Sequence, residues 1–279
     1  MKPSPLLALV AGVLFAGSAA AQDWSTIRIA TEGAYAPWNF TNAAGQLDGF
    51  DVDLANELCA RMGAQCEIVA QAWDGIIPAL QAGRYDAIMA GMSITDARME
   101  VIDFTRSYAT TPAIFVAPKD SDFAAAGLPE TRVDMTEISA EEQALLDQVK
   151  GLLDGLTVGV QTATIHENFL REHMGDIDIR TYDSQENLDL DLQAGRIDVA
   201  LADQSGWQPL LEGELGEDFT RVGPGFARGI FGRGVGVGIR KEDAALKDKF
   251  NAAIQSALDD GTVSELAIKW FGFDSATTD

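Results

Sequence analysis

The stretch Ala87–Arg98, which reads AIMAGMSITDAR, is the part of the sequence that decides the fold. It begins as a short apolar run, typical of a buried parallel strand. It then changes to small residues, Ala90, Gly91 and Ser93, and a Thr-Asp pair supplies a helix N-cap signature. A strand that ends in small residues and leads into a helix leaves backbone N–H groups unpaired and pointing outward. The stretch therefore predicts an anion-binding site.

Arg98 falls in the first turn of the predicted helix. Its planar guanidinium would there meet a carboxylate held by the backbone amides. The alternative is that Arg98 only pairs with Asp96 or Asp103 on a solvated helix face. The stretch by itself leaves both interpretations open.

An eleven-residue repeat links this stretch to a second part of the chain. LQAGRYDAIMA at 80–90 is echoed by LQAGRIDVALA at 192–202, and each copy reads as a helix end, a glycine C-cap and a buried strand. Another predicted strand that ends in small polar residues precedes each copy, at Ile27–Thr31 and Val158–Thr162. The repeat predicts two lobes of similar α/β topology, each a mostly parallel sheet flanked by helices. Ligands of such sheets lie beyond the carboxyl ends of the strands, so we expect one cleft where these strand ends meet.

Length and composition predict an exported protein with a substantial core. The chain has 279 residues, 47% of them hydrophobic, which is enough for one large domain or two modest ones. Residues 1–21 read as a secretory signal peptide, with Lys2 before an apolar run and a small-residue cleavage site. No other apolar stretch approaches membrane-spanning length. We therefore expect a soluble periplasmic protein.

Charge and motifs exclude several function classes. The formal net charge of −23 argues against nucleic acid and anionic membranes as partners. No phosphate loop, HExxH or GxSxG motif occurs, and nothing predicts a metal or a cofactor. His166 and His173 pair with no plausible nucleophile, so we expect solvated or helix-capping roles for both.

The two cysteines fit export into an oxidising compartment. Cys59 lies near the end of an amphipathic helical pattern, and Cys66 opens the next apolar run. A disulfide would join the helix end to the strand start. A metal pair is the weaker alternative, because neither histidine lies near them in sequence.

Two stretches are harder to interpret. The glycines at 232, 234, 236 and 238 alternate, so they do not form a dinucleotide motif and instead suggest a thin strand packed against a helix. At about 119–155 the composition changes, and Pro129 with an amphipathic pattern predicts a loop followed by a helix.

Several motifs together resemble one family, the bacterial periplasmic solute-binding proteins of polar amino-acid ABC transporters. They are TEGAYAPWNF, LDGFDVDLANELC, WDGIIPALQAGRYDAI, SITDAR, VGVQTAT and RKEDAALK, and they cover nearly the whole mature chain. The similarity is to the lysine/arginine/ornithine-, histidine- and octopine/nopaline-binding types, and the 119–155 insertion resembles the opine-binding branch. It implies a type II two-lobed clamshell, with lobe 1 at 22–110 plus 227–279 and lobe 2 at 111–226. Crossover strands are implied near Tyr108–Phe115 and Gly223–Phe231.

The resemblance also implies a ligand site in the cleft between the lobes. Arg98, with the amides of Ser93 and Thr164, would bind the α-carboxylate of an amino acid. Asp203 and the Gly91 carbonyl would receive the α-ammonium group. The remaining implied site residues are Glu32 opposite the distal positive group of the ligand, Tyr35 and Trp73 around its stem, and Ala90 and Ala163.

The sequence departs from the family pattern at the ammonium end of the site. Ala90 and Gly91 stand where basic amino-acid binders often carry serines, and Ile165 replaces a polar residue. For Glu32, the alternative to ligand contact is a structural role, as the cap of its own turn or the partner of a neighbouring lysine or arginine.

We therefore expect a monomeric, non-enzymatic receptor that passes a polar, cationic amino acid or an opine to an ABC transporter permease. Two alternatives stay open: an enzyme on the same clamshell, such as a cyclohexadienyl dehydratase, and a ligand-sensing partner of a membrane receptor.

Overall fold

The computed structural model describes residues 24–277. The predicted signal peptide, residues 1–21, lies outside the described residues. Within the described range, no helix combines the length and the apolar character needed to cross a membrane.

The strands of the described residues fall into two large sheets and one small one. They are β1 Thr26–Thr31, β2 Ala34–Tyr35, β3 Asn39–Thr41, β4 Leu47–Asp48, β5 Gln65–Ala70, β6 Ala87–Ile88, β7 Asp103–Phe104, β8 Ala113–Pro118, β9 Arg132–Asp134, β10 Thr157–Gln161, β11 Asp178–Tyr182, β12 Val199–Asp203, β13 Phe219–Ala227 and β14 Gly238–Ile239. The first sheet has the order β5-β1-β6-β14-β7, and the second has the order β11-β10-β12-β8-β13-β9. The small sheet is β2-β3-β4.

Helices cover both faces of each large sheet. The α-helices are α1 Phe50–Met62, α2 Ile76–Gln81, α3 Asp96–Met99, α4 Asp122–Ala125, α5 Ala140–Leu153, α6 Ile165–His173, α7 Gln185–Gln193, α8 Gln208–Leu211, α9 Ala244–Asp259 and α10 Thr262–Phe271, with 3-10 turns at Trp73–Gly75 and Gly229–Phe231. On the first sheet, α1, α9 and α10 bury one apolar cluster and α2 buries another. On the second sheet, α5 and α6 lie in one cluster and α7 and α8 in another. Each sheet is thus buried on both faces, as its short apolar strands predict.

The sequence repeat corresponds to a structural repeat. In the first sheet β1 pairs in parallel with β5 and β6, and in the second sheet β10 pairs in parallel with β11 and β12. The aspartate of each repeat makes the same contact, because Asp86 accepts the N–H of Arg28 and Asp198 accepts the N–H of Thr157. The predicted pair of similar α/β units is confirmed, and the aspartate of each repeat has a structural role at the start of its strand.

The chain passes between the two large sheets twice, at 105–112 and at 228–237. Both crossings differ slightly from the implied positions, since Ala113 and Phe219 already begin strands of the second sheet. The boundaries of the two lobes remain predictions.

The prediction of one thin strand across the alternating glycines is wrong. Only Gly238–Ile239 forms a strand there. Gly232 and Gly234 have φ of 81° and 92°, in the left-handed region that favours glycine. A Cβ at Gly234 would lie 2.3 Å from the Ser107 hydroxyl, and one at Gly232 would lie 2.4 Å from the Ile94 carbonyl. These glycines allow close approach to loop segments rather than to a helix.

The 119–155 segment holds the predicted helix and an unpredicted strand. Helix α5 begins at a capping box formed by Ser139 and Glu142. Before it, β9 adds an edge strand to the second sheet by pairing with β13. The predicted disulfide joins Cys59 to Cys66, with 6.0 Å between their Cα atoms, and fixes the end of α1 to β5.

Candidate ligand-binding cleft

A cleft lies where the carboxyl ends of strands from the two sheets converge. Residues from both lobes line it, and they are Glu32, Tyr35, Trp73, Ala90, Gly91, Ser93, Arg98, Gln161, Thr164, Ile165, His166, Gln185 and Asp203. Nine of the ten predicted ligand-binding residues are among them. Ala163 is exposed outside this lining, and its carbonyl accepts a hydrogen bond of 3.3 Å from the Trp73 indole.

Arg98 is held beside the strand end that the sequence singled out. Its guanidinium donates to the Ser93 carbonyl at 2.9 Å and lies over the Trp73 ring, 5.2 Å from the ring centroid. Burial lowers the pKa of Arg98 to about 10, and Asp203 opposes that shift, so the group stays cationic at neutral pH.

The alternative partners of Arg98 are engaged elsewhere. Asp96 pairs with Arg233 at 2.7 Å, and Asp103 pairs with Lys247 at 2.5 Å. The interpretation of Arg98 as half of a surface ion pair with either acid is therefore wrong. Its free donors are available to an anion in the cleft.

Asp203 follows a fully buried strand, β12, and is itself buried. Its Oδ2 accepts a hydrogen bond of 2.7 Å from the Tyr35 hydroxyl, which comes from the other lobe. Its Oδ1 lies 3.5 Å from Nε2 of His166. One carboxylate oxygen thus has a direct hydrogen-bond partner, while the other can receive a cation.

Glu32 is a buried acid at the end of β1. Its Oε1 accepts a hydrogen bond of 2.6 Å from the Gln161 side chain. Burial raises the pKa of Glu32 to about 7; the Gln161 bond opposes the shift, and nearby Glu186 and Asp183 add to it. Neither a lysine nor an arginine neutralises this acid among the contacts of the described residues. A ligand cation would supply the missing partner.

Hydrogen bonds connect the two lobes directly at the cleft. Besides Tyr35–Asp203 and Gln161–Glu32, the Trp38 indole donates to the Ser205 hydroxyl at 2.8 Å. These contacts fix the relative position of the two sides, so that Arg98, Asp203 and Glu32 face one small volume.

A third buried acid, Asp51, lies next to the cleft. Asp51, in the first turn of α1, accepts hydrogen bonds from the Gly91 amide at 2.8 Å, the Asn39 side chain at 2.9 Å and the Tyr108 hydroxyl at 2.8 Å. Burial raises its pKa to about 7, and all three hydrogen bonds oppose that shift. Asp51 therefore positions the Gly91 loop without lining the cleft.

Three polar lining residues were not predicted as ligand-binding residues. Gln161 ends β10, Gln185 begins α7 with its side chain bonded to Asp189 at 2.8 Å, and His166 lies in the first turn of α6. The expected solvated or capping role of His166 is wrong, because only 6% of the residue is exposed and Thr164 provides the side-chain cap of that helix. Gln161 had a usable signal, since it ends a predicted strand at the cleft.

Nothing in the described range resembles a metal centre. Across residues 24–277, no three His, Cys, Asp or Glu side chains converge as a metal ion would require.

Two buried sheets of repeated topology, joined by two crossings and with charged groups converging between them, define a ligand-binding protein of the clamshell class. The model of the bacterial extracellular solute-binding proteins, family 3, matches residues 27–273. The chain belongs to that family.

Individual relatives agree with this assignment. The octopine-binding periplasmic protein of Rhizobium meliloti is 42% identical over 96% of this chain and 98% of its own length. The histidine-binding periplasmic protein of Salmonella typhimurium is 37% identical over 96% of each chain. The family and these relatives confirm the predicted periplasmic location.

Solved structures show the same fold. A periplasmic His/Glu/Gln/Arg/opine family-binding protein from Silicibacter pomeroyi, in complex with lysine, is 38% identical, with a TM-score of 0.72 over 90% of this chain and all of that one. An ancestral amino acid-binding protein, a precursor of cyclohexadienyl dehydratase, is 29% identical, with a TM-score of 0.72 over 88% of this chain and 96% of that one. The predicted two-lobed fold is confirmed.

Proposed function

We propose that this protein is the substrate-binding component of an amino-acid ABC transporter and that its ligand is a cationic amino acid or an opine. The observation that carries the proposal is the set of charged residues that line one cleft: Arg98, Asp203 and Glu32. An α-amino acid with a distal cation presents the complementary charges.

Each part of such a ligand has a defined partner. The α-carboxylate takes the two-pronged guanidinium of Arg98, and the α-ammonium takes Oδ1 of Asp203 with the Gly91 carbonyl. The side-chain stem lies between Tyr35 and Trp73. Its terminal ammonium or guanidinium reaches Glu32.

Glu32 favours a cationic group at the end of the ligand side chain over a neutral amide. Glu32 is 8% exposed, so as a carboxylate it carries the cost of lost hydration, which Gln161 offsets only in part. A guanidinium or ammonium would offset the rest. A neutral amide such as that of glutamine offers only a dipole.

Delivery requires a membrane partner. The named relatives are periplasmic binding proteins, and the chain carries a predicted export signal. Its loaded, closed form would pass the ligand to the permease of the transporter.

A thermal-shift screen tests the proposal. A ligand that binds only the folded state stabilises it by about 4 kcal/mol at a thousand times its Kd, which raises the melting temperature by several degrees. We expect arginine, lysine, ornithine or octopine to raise it most. If glutamine or glutamate gives the largest shift, selection by distal charge is wrong.

One observation favours a second candidate, an enzyme on the same fold. Glu32 is a buried acid with a pKa raised to about 7, as many general acids have, and one structural relative is a dehydratase precursor. Incubation of the bound ligand with the protein, followed by mass spectrometry, separates the two. A receptor returns the ligand unchanged, whereas chemical conversion would favour the enzyme.

A further inference from the structure

One buried polar group in the cleft has no role in the binding scheme above. Nε2 of His166 is buried and has no hydrogen-bond partner. It lies 3.5 Å from Oδ1 of Asp203, without the geometry of a hydrogen bond. A buried polar atom without a partner is costly, so a ligand group that paired with it would gain affinity.

None of the three charged groups of a cationic amino acid pairs with Nε2 of His166. The carboxylate, the α-nitrogen and the distal cation are matched by Arg98, Asp203 and Glu32 respectively. His166 is thus a fourth polar group, and it stands beside the residue proposed to bind the α-nitrogen. The matching fourth group of a ligand would be attached to that nitrogen.

The surroundings of His166 indicate the charge of the ligand group that would pair with it. Asp203 Oδ1 lies 3.5 Å from Nε2, and a carboxylate oxygen there favours the imidazole tautomer with its hydrogen on Nε2. His166 also lies in the first turn of α6, the end of a helix that favours anions. A donor in such a place pairs best with a carboxylate.

The lining beside the proposed position of the α-nitrogen is small and apolar. Ala90 and Gly91 line this end and carry no hydroxyl groups that would hold a primary ammonium. Ile165 also lines the cleft, and Phe231 lies beside the His166 ring, with 5.9 Å between the His166 and Phe231 centroids. A short carbon substituent on the nitrogen fits such a lining.

We infer that His166 is the specificity-determining residue for a second carboxylate carried on the α-nitrogen of the ligand, so that the receptor prefers an N-(carboxyalkyl) amino acid, an opine, to the parent amino acid. The inference rests on the proposed function, and it narrows the ligand class. A parent amino acid still binds through the other three groups.

Calorimetry with a matched pair of ligands tests the inference. The probes are arginine and octopine, its N-(1-carboxyethyl) derivative, titrated into the wild-type protein and into His166→Leu, His166→Gln and His173→Leu. His173 lies on the same helix but outside the cleft, where it packs on Phe169, so it is the matched control. The readout is the ratio of the two affinities, which cancels any effect on the shared groups.

We expect octopine to bind the wild-type protein more tightly than arginine. In His166→Leu the preference for octopine should fall about ten- to hundredfold, because a hydrogen bond to a charged group is lost. His166→Gln retains an N–H donor and should restore part of the preference, and His173→Leu should keep all of it.

The outcomes separate the inference from the proposed function. If arginine binds with the expected charge selection but octopine does not, or if His166→Leu weakens both ligands equally, His166 is structural and the inference is wrong. A selective loss of arginine in His166→Leu would show instead that Nε2 accepts from a primary ammonium, which also overturns it. If the wild-type protein binds neither probe, the proposed function itself fails.

Discussion

Ligand binding should release a proton from Glu32. In the ligand-free cleft, burial raises the pKa of this carboxyl to about 7, so about half of the molecules carry the proton at pH 7. A guanidinium beside the carboxyl favours the ionised form and lowers that pKa. Binding of arginine at pH 7 should therefore release about 0.5 proton, with about 0.9 at pH 6 and about 0.1 at pH 8.

The same linkage sets the pH dependence of affinity. The protonated acid must lose its proton before it can pair with the cation, so affinity falls as pH falls through 7. Between pH 8 and pH 6 the Kd for arginine should rise about tenfold, equivalent to about 1.4 kcal/mol.

Calorimetry in two buffers of different ionisation enthalpy measures the proton release directly. The slope of observed enthalpy against buffer enthalpy gives the number of protons. Glu32→Gln should bring the slope close to zero at pH 7. Asp189→Asn is the control: burial also raises the pKa of Asp189 to about 7, but the residue does not line the cleft, so the slope should match the wild type.

Two results would refute this reasoning. One is a wild-type slope of zero at pH 7 together with tight arginine binding, which would mean that no buried acid responds to the cation. The other is an unchanged slope in Glu32→Gln, which would assign the proton to a different group.

Three further predictions concern Arg98, the disulfide and Asp51. Arg98→Lys keeps the charge but loses the planar fork, and should weaken arginine about ten- to hundredfold by calorimetry; a change under twofold would contradict a two-pronged clamp. Replacing Cys59 and Cys66 by alanine removes a crosslink across a sequence separation of 7 and should lower the free energy of unfolding by about 2–3 kcal/mol; a denaturant titration showing no loss would contradict this. Because the native pKa of Asp51, about 7, exceeds its unfolded value of 3.8, the wild-type protein should lose stability as pH rises from about 4 to 7, and Asp51→Asn should flatten that slope in thermal melts. Identical slopes would show that Asp51 does not titrate in this range.

The sequence predicts those parts of the cleft whose geometry is determined by residues close together in the chain. Ala87–Arg98 and its repeat carry the strand, the turn and the helix start in consecutive residues, so their geometry follows from short-range rules. Parallel strands bring their carboxyl ends together, and this is why Glu32, Ser93, Thr164 and Asp203 line one cleft.

The missed features depend on contacts between distant parts of the chain. The Tyr35–Asp203 bond joins residues 168 positions apart, and His166 packs against Phe231 from a distant part of the chain. A single histidine in a helix start has no periodic signal, so a solvated role was the natural expectation. The glycines from 232 to 238 imitate a strand because their alternation has its period, whereas close approach to Ile94 and Ser107 fixes their conformation.

The hydrogen bonds of Asp51 determine which parts of the cleft could be exchanged between relatives. A graft of residues 90–98 into another receptor would leave the Gly91 amide without its acceptor unless the host also supplies an aspartate at the start of its first helix. That aspartate in turn needs donors equivalent to Asn39 and Tyr108. The smallest transferable unit therefore spans four separate parts of the chain, and a chimera that moves only the ligand-facing loop should bind weakly even with every contact residue in place.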